Sequence, residues 1–337
     1  MSKKILEVNH LRTSFQINDD YYAAVDDVSL SLHKNEVLAI VGESGCGKSA
    51  LAFSIMGLHR KAKIEGDILF KEQNLTHISD ANFNNLRGNH MGMIFQDPLT
   101  ALNPLMKIGD QISEVILLHH KKSTKQARKQ KVLQLLDEVG INHPNRIYEQ
   151  YPHELSGGMR QRVIIAIAIA NKPEVLIADE PTTALDATIQ SQILQLMNQL
   201  KDEMEAGIIL ITHDLGVVAE MADRVAVMYA GEIVEMTDIE TLFENPLHPY
   251  TKSLLQSIPS SVAPKSKLHV IQGIVPSLMN LPRTGCRFKA RIPWIKASAH
   301  EANPKLREVT KGHLVRCTCY QHFNLHDTKE DGIHVLS

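Results

Sequence analysis

The 337-residue sequence is poor in aromatics (5%), holds one tryptophan and four cysteines, and favours neither charge, with 36 Lys and Arg against 38 Asp and Glu. Each shortage excludes something. Four cysteines in this length do not make a secreted disulfide scaffold. The longest purely aliphatic run, Val163 to Ala170, has 8 residues, whereas a membrane-spanning helix needs about 20. The start, MSKKILEVNHLRTSF, has no apolar stretch of signal-peptide length, so a cytosolic chain is expected. A net charge of −2 disfavours nucleic-acid binding through bulk charge, and no nucleic-acid partner is expected. The basic run Lys121 to Lys131 lacks interleaved aromatics and reads as a solvated helix face.

What the chain does contain is unevenly spread. Residues 259–337 carry a charge of +7, six histidines and Cys286, Cys317 and Cys319, which leaves −9 for the first 258 residues. The length suggests about two domains. Residues 5–41 alternate apolar runs with polar turns and predict antiparallel strands leading into a buried strand at Val37 to Val41. Further buried strands are predicted at Met91 to Phe95, Val175 to Ala178 and Ile208 to Thr212, alternating with helices at Met159 to Ala170 and Ile189 to Met204. That alternation predicts a mainly parallel sheet covered on both faces. Between about 98 and 158 the spacing is helical, which predicts a helical subdomain inserted in the α/β core. After Ala230 the pattern weakens, and Pro246, Pro249, Pro259, Pro264, Pro276 and Pro282 predict a loop-rich extension over residues 236–337.

Three segments carry chemistry. Gly42, Glu43, Ser44, Gly45, Cys46, Gly47, Lys48 and Ser49, with Ala50 following, match GxxxxGK[ST] between a buried strand and a helix. Glycines let backbone N–H groups wrap phosphates, Lys48 would reach the β and γ phosphates, and Ser49 can ligate Mg²⁺. Cys46 lies at a helix N-terminus, which predicts a lowered thiol pKa. Asp179 and Glu180 end an apolar strand, where Asp179 would hold Mg²⁺ and Glu180 would polarise an attacking water. Leu155, Ser156, Gly157, Gly158 and Met159 form a second glycine-rich helix start.

The LSGGM segment resembles the signature of ABC ATPases, and other motifs of that family follow in order. Gln96 matches its glutamine loop, Ala184, Leu185 and Asp186 its D-loop, and His213 its switch histidine. The resemblance implies a P-loop ABC ATPase cassette over residues 1–235: a RecA-like α/β core, an antiparallel β subdomain and the helical insert. It implies ATP with Mg²⁺ at the Lys48 loop, Gln96 and Asp179, and Glu180 as general base. His213 would steady the γ-phosphate, and Phe15 would stack on adenine, with Tyr22 as its rival. Ser156 and Gly158 would complete the site of a second ATPase subunit, more often a paralogue, and Gly157 and Asp186 are expected among the nucleotide-binding residues. Soluble ABC ATPases of DNA repair or translation usually carry two cassettes or a long coiled coil, unlike this chain.

Asn245 to Thr251 (NPLHPYT) and Gly273 to Phe288 resemble the C-terminal region of oligopeptide, dipeptide and nickel importer ATPases. The implied function is an ATPase subunit at the cytoplasmic face of the membrane, powering uptake of peptides or chelated metal. Two transmembrane permease subunits and an extracellular solute-binding protein are the other implied partners. That group's extension commonly holds an iron–sulfur cluster in the pattern Cx5Cx6Cx17C. Here only Cys286 and Cys317 match, because Ile292 and Ala299 occupy the other two positions, so no cluster is expected. Free thiols in a packed extension are expected instead, while Cys319 and His300 leave a rebuilt thiolate and imidazole site open.

Overall fold

The computed structural model describes residues 3–183, 185–257 and 273–323. Ala184, Pro259 and Pro264 lie outside the described residues. Lys4–Ile17 (β1) and Asp20–His33 (β2) pair antiparallel as a long hairpin, and Val37–Val41 (β3) follows, buried at every position. Lys63–Phe70 (β4) and Gln73–Asn74 (β5) complete a sheet of order β2-β1-β4-β5. The second sheet takes Met91–Ile94 (β6), Val175–Asp179 (β7), Gly207–Thr212 (β8) and Arg224–Tyr229 (β9) in parallel with β3. Glu232–Asp238 (β10), Leu306–Thr310 (β11) and His313–Arg316 (β12) extend it antiparallel, giving the order β11-β12-β10-β9-β3-β8-β7-β6.

The strands β3, β6, β7 and β8 are buried throughout, because helices and the first sheet cover both faces and an alternating pattern would leave polar groups inside. The chain leaves β3 for the β6 edge, returns through β7 to β8, and then crosses to β9 on the other side of β3. β3 therefore stands at the switch point of the sheet, where ligands of open α/β sheets bind at the carboxyl ends of the strands.

Residues 98–158 include the helices Pro98–Ala101, Ile108–His119, Lys125–Glu138 and Pro144–Glu149. Their apolar positions Ile112, Val132, Leu136 and Ile147 share one buried cluster with Val163 and Ile164 of the helix Gly157–Ile169.

The region after Ala230 is more regular than its prolines suggest. Ala230 and Gly231, both at positive φ, turn β9 into β10, and the helices Ile239–Glu244 and Pro249–Gln256 follow. Residues 235 and 236 lie inside β10, and both pair with β12, 78 residues or more downstream. Strands of four and five residues that pair over such separations leave little periodicity to read.

Candidate nucleotide site

Between β3 and the helix Lys48–Ile55 the chain turns through Gly42 to Gly47. Gly47 has φ 107°, and a Cβ there would stand 2.5 Å from the Ala24 carbonyl oxygen; one on Gly42 would stand 2.2 Å from that of Met228. Only glycine lets the loop approach its neighbours so closely. Gly47 leaves the N-terminus of the helix without a side-chain cap, and that end is a place for anions. Lys48 is 5% exposed and donates to the carbonyls of Gly42 (2.7 Å) and Glu43 (3.1 Å). A buried ammonium held by loop carbonyls is already placed over the loop that the helix end faces.

Cys46 corrects one expectation. Burial pushes its thiol pKa up, and this outweighs the opposing pull of Lys48. With 1% exposure it fills space in the apolar cluster beside Ile40 and Leu51.

Asp179 ends β7 beside the loop. Burial pushes its carboxyl up, the Ser49 hydroxyl pulls the other way, and Glu180 raises it further. Its Oδ1 is buried without a hydrogen-bond partner in the protein. A hydroxyl beside an unsatisfied carboxylate oxygen is the donor set that Mg²⁺ takes, so these residues fit that ion.

Glu180, next along the chain, has φ 47°, in the left-handed region that non-glycine residues occupy at a cost of about 1–3 kcal/mol. Its N–H donates to Ile211 O at the end of β8 (2.8 Å). That conformation turns the carboxylate towards three motifs at once. Gln96 donates to its Oε2 at 3.1 Å, Thr183 donates to the same oxygen at 2.9 Å, and His213 Nδ1 lies 3.3 Å from Oε1. The motifs place Gln96 and His213 in the site but miss Thr183, which stands three residues after Glu180.

The second glycine-rich helix start is held differently. Ser156 caps the helix Gly157–Ile169 by accepting from Met159 N–H at 3.3 Å, and both Ser156 and Gly157 are exposed. A Cβ on Gly158 would stand 2.9 Å from Ile189 Cγ2. Asp186 caps the helix Ala187–Met204 through Ile189 N–H, on the exposed side of the molecule. Phe15 and Tyr22 face each other across the β1/β2 hairpin. The Phe15 ring meets the His59 ring edge-on at 4.9 Å, while Arg283 lies 5.9 Å over Tyr22.

The extension reaches this site, which the motifs alone do not indicate. Arg291 grips the Glu43 carboxylate with two nitrogens, at 2.6 and 3.1 Å, and the Tyr250 hydroxyl accepts from the Glu43 N–H at 2.8 Å. Arg287 pairs with Asp26 and Glu232, Arg316 with Glu232 and Asp27, and His313 with Glu235. The basic remainder and the acidic first 258 residues are thus the two sides of one interface. Hydrogen-bonding distance between residues 248 positions apart leaves no local signal in sequence.

A parallel sheet with a glycine loop at its switch point, a buried lysine and an acid ending the next-but-one strand defines a P-loop fold. The family described as ABC transporter matches residues 25–183, and the oligopeptide/dipeptide transporter C-terminal region matches residues 234–295. The oligopeptide transport ATP-binding protein OppD of Lactococcus lactis subsp. cremoris (strain SK11) is 50% identical over 334 residues, which is 98% of each chain. The dipeptide transport ATP-binding protein DppD of Bacillus subtilis (strain 168) is 48% identical, covering 94% of each. Among solved structures, the ATP-binding cassette MJ0796, a dimer in a post-hydrolysis state bound to ADP and Pi, aligns with a TM-score of 0.64 at 26% identity. That alignment covers 70% of this chain and 99% of the other. The chain belongs to the ABC transporter ATPase family, in the group that carries the oligopeptide/dipeptide transporter C-terminal region.

Proposed function

We propose that this chain is the ATP-binding and ATP-hydrolysing subunit of an importer that takes up peptides. The geometry around Glu180 carries the reading: a carboxylate next to the Asp179 strand end, held by Gln96, Thr183 and His213. In this reading the loop N–H groups and Lys48 cradle the phosphates of ATP, and Ser49 and Asp179 hold Mg²⁺, with Gln96 beside them. When bound, the ion would supply charge neutralisation for the transferring phosphoryl group. Glu180 takes the proton of the attacking water, Gln96 and His213 orient that carboxylate, and His213 then faces the γ-phosphate. Phe15 offers its ring to adenine.

Ser156, Gly157, Gly158 and Asp186 serve the ATP held by a second ATPase subunit. The dimeric state of the MJ0796 cassette supports a pair of ATPase subunits. Among the described residues no helix is long and apolar enough to cross a membrane. The proposed route of the cargo is through separate permease subunits. The proposed place of work is against those subunits at the cytoplasmic face, with a solute-binding protein outside. The names of the relatives favour peptides over nickel or metal chelates as cargo.

The test is turnover of the assembled ATPase pair with Glu180→Gln. Retained nucleotide binding with hydrolysis nearly lost is expected; normal hydrolysis would refute the assignment of Glu180. Restored growth on an oligopeptide, in cells lacking their own importer ATPase, tests the cargo.

A further inference from the structure

The extension brings Cys286, His300, Cys317 and Cys319 together, with one ligand atom from each lying within 4.8 Å of all the others. These four come from three separate loops. Cys286 follows the turn at Gly285, His300 follows the short helical turn Ala297–Ala299, and Cys317 and Cys319 follow β12. The three thiols are buried, and both ring nitrogens of His300 are buried without a hydrogen-bond partner. Buried polar groups in folded proteins are almost always satisfied, so an imidazole sealed in beside three sulfurs points to a further ligand.

Cys317 has φ 68°, a left-handed residue that lets Cys319 fold back beside it.

We propose that Cys286, His300, Cys317 and Cys319 form a closed tetrahedral site for a single zinc ion. With Zn–S bonds of about 2.3 Å, tetrahedral angles hold two sulfurs about 3.8 Å apart, which suits a cluster of this size. Three thiolates and one imidazole are a known structural zinc set. A four-iron cluster would need a ligand at each corner of a larger cube. The two further positions of the importer pattern, Ile292 and Ala299, are buried in the apolar cluster of the extension and donate nothing. The site has moved to His300 and Cys319. Its role is to staple loops that have little regular structure of their own. The turn Lys289–Arg291, which starts three residues after Cys286, carries Arg291 to Glu43, so the staple sets the arm that grips the phosphate loop.

The test uses the full chain, purified anaerobically, with metal and acid-labile sulfide measured per chain. About one zinc and no sulfide is expected. Cobalt(II) exchanged into the protein should show the intense visible bands of a tetrahedral ion and sulfur-to-metal charge transfer in the near ultraviolet. Cys319→Ser and His300→Ala should each reduce zinc to near none, while the distant Cys46→Ala should leave it unchanged. Iron with sulfide, no bound metal, a disulfide among the three cysteines, or full zinc content in both variants would each overturn the proposal. The cobalt spectrum of the unaltered chain decides the geometry even where a variant fails to fold.

Discussion

The cassette and the extension each gather a cluster of reactive side chains, and they do so in opposite ways. In the cassette the groups lie at strand ends, in short contiguous segments: Gly42 to Ser49 after β3, Asp179 and Glu180 at the end of β7, His213 just past β8. In the extension four ligands come from three loops, and no two adjacent residues contribute. A sheet fixes many backbones in parallel, so a motif at a strand end is positioned by the fold itself. Loops have no such frame, and their cluster needs an internal bond to hold it.

The largest effect expected follows from that contrast. Glu180→Gln should lower ATP turnover of the assembled pair by about 10²–10⁴-fold, the scale of a lost general base. Nucleotide affinity and zinc content should stay unchanged. A loss of zinc together with turnover would erase the distinction between the two clusters, because it would make them one cooperative unit.

Next in size is the exposed helix start. Ser156→Ala removes a cap and, under the proposed pairing, a donor to the partner's phosphate, and should reduce hydrolysis at the partner's site by about 10²-fold. The affinity of this chain's own phosphate loop for ATP should be unaffected. In a pair with one altered subunit, loss of binding at this chain's own loop would show that Ser156 serves its own site.

Much of the cassette is legible in sequence because its chemistry is local. The loop from Gly42 to Ser49 needs glycine where Gly47 takes φ 107°, and that demand is written as a motif. Glu180 reads directly as the second acid of a strand end. The thiol of Cys46 is misread because a helix terminus can be recognised in sequence, while the burial that overrides it cannot. The extension is legible through the resemblance of Asn245 to Thr251 and Gly273 to Phe288, and as a basic segment in which Cys319 and His300 leave a metal site open, but not through its contacts. Arg291 meets Glu43 across 248 positions, and His300 meets Cys317 across a strand hairpin, so their meaning exists only after packing.

The Arg291 contact can be broken without replacing a residue of either cluster. Arg291→Ala leaves the Glu43 carboxylate, 27% exposed, without its bidentate partner beside the phosphate loop. A freed negative charge near a triphosphate should weaken ATP binding about tenfold, the equivalent of about 1.4 kcal/mol. Glu43→Gln in the same chain should restore most of it, and isothermal titration of the two single variants and the double variant gives the coupling directly. Additive losses would show that the extension touches the loop without influencing it.

The smallest effect at neutral pH concerns the seam itself. His248 is fully buried, its backbone N–H donates to Glu235, and its Nδ1 accepts from the N–H of Tyr250. Burial lowers its pKa from 6.5 to about 4, against the attraction of Glu235. The Glu235 carboxyl is pushed up by burial, but the hydrogen bonds from His313, Thr251 and the N–H groups of Leu247 and His248 outweigh this and hold it below its usual range. The folded state therefore keeps His248 neutral while the unfolded chain protonates it. The stability contributed is present above pH 6.5 and is lost as pH falls towards 4, by about 1.4 kcal/mol per pH unit within that window. An asparagine in its place would keep an acceptor for Tyr250 N–H and remove the titration. His248→Asn should thus shift the melting temperature little near neutral pH and flatten its decline between pH 6.5 and about 4. Parallel curves for the two proteins would mean that this seam opens to solvent and that cassette and extension are joined less firmly than their shared sheet requires.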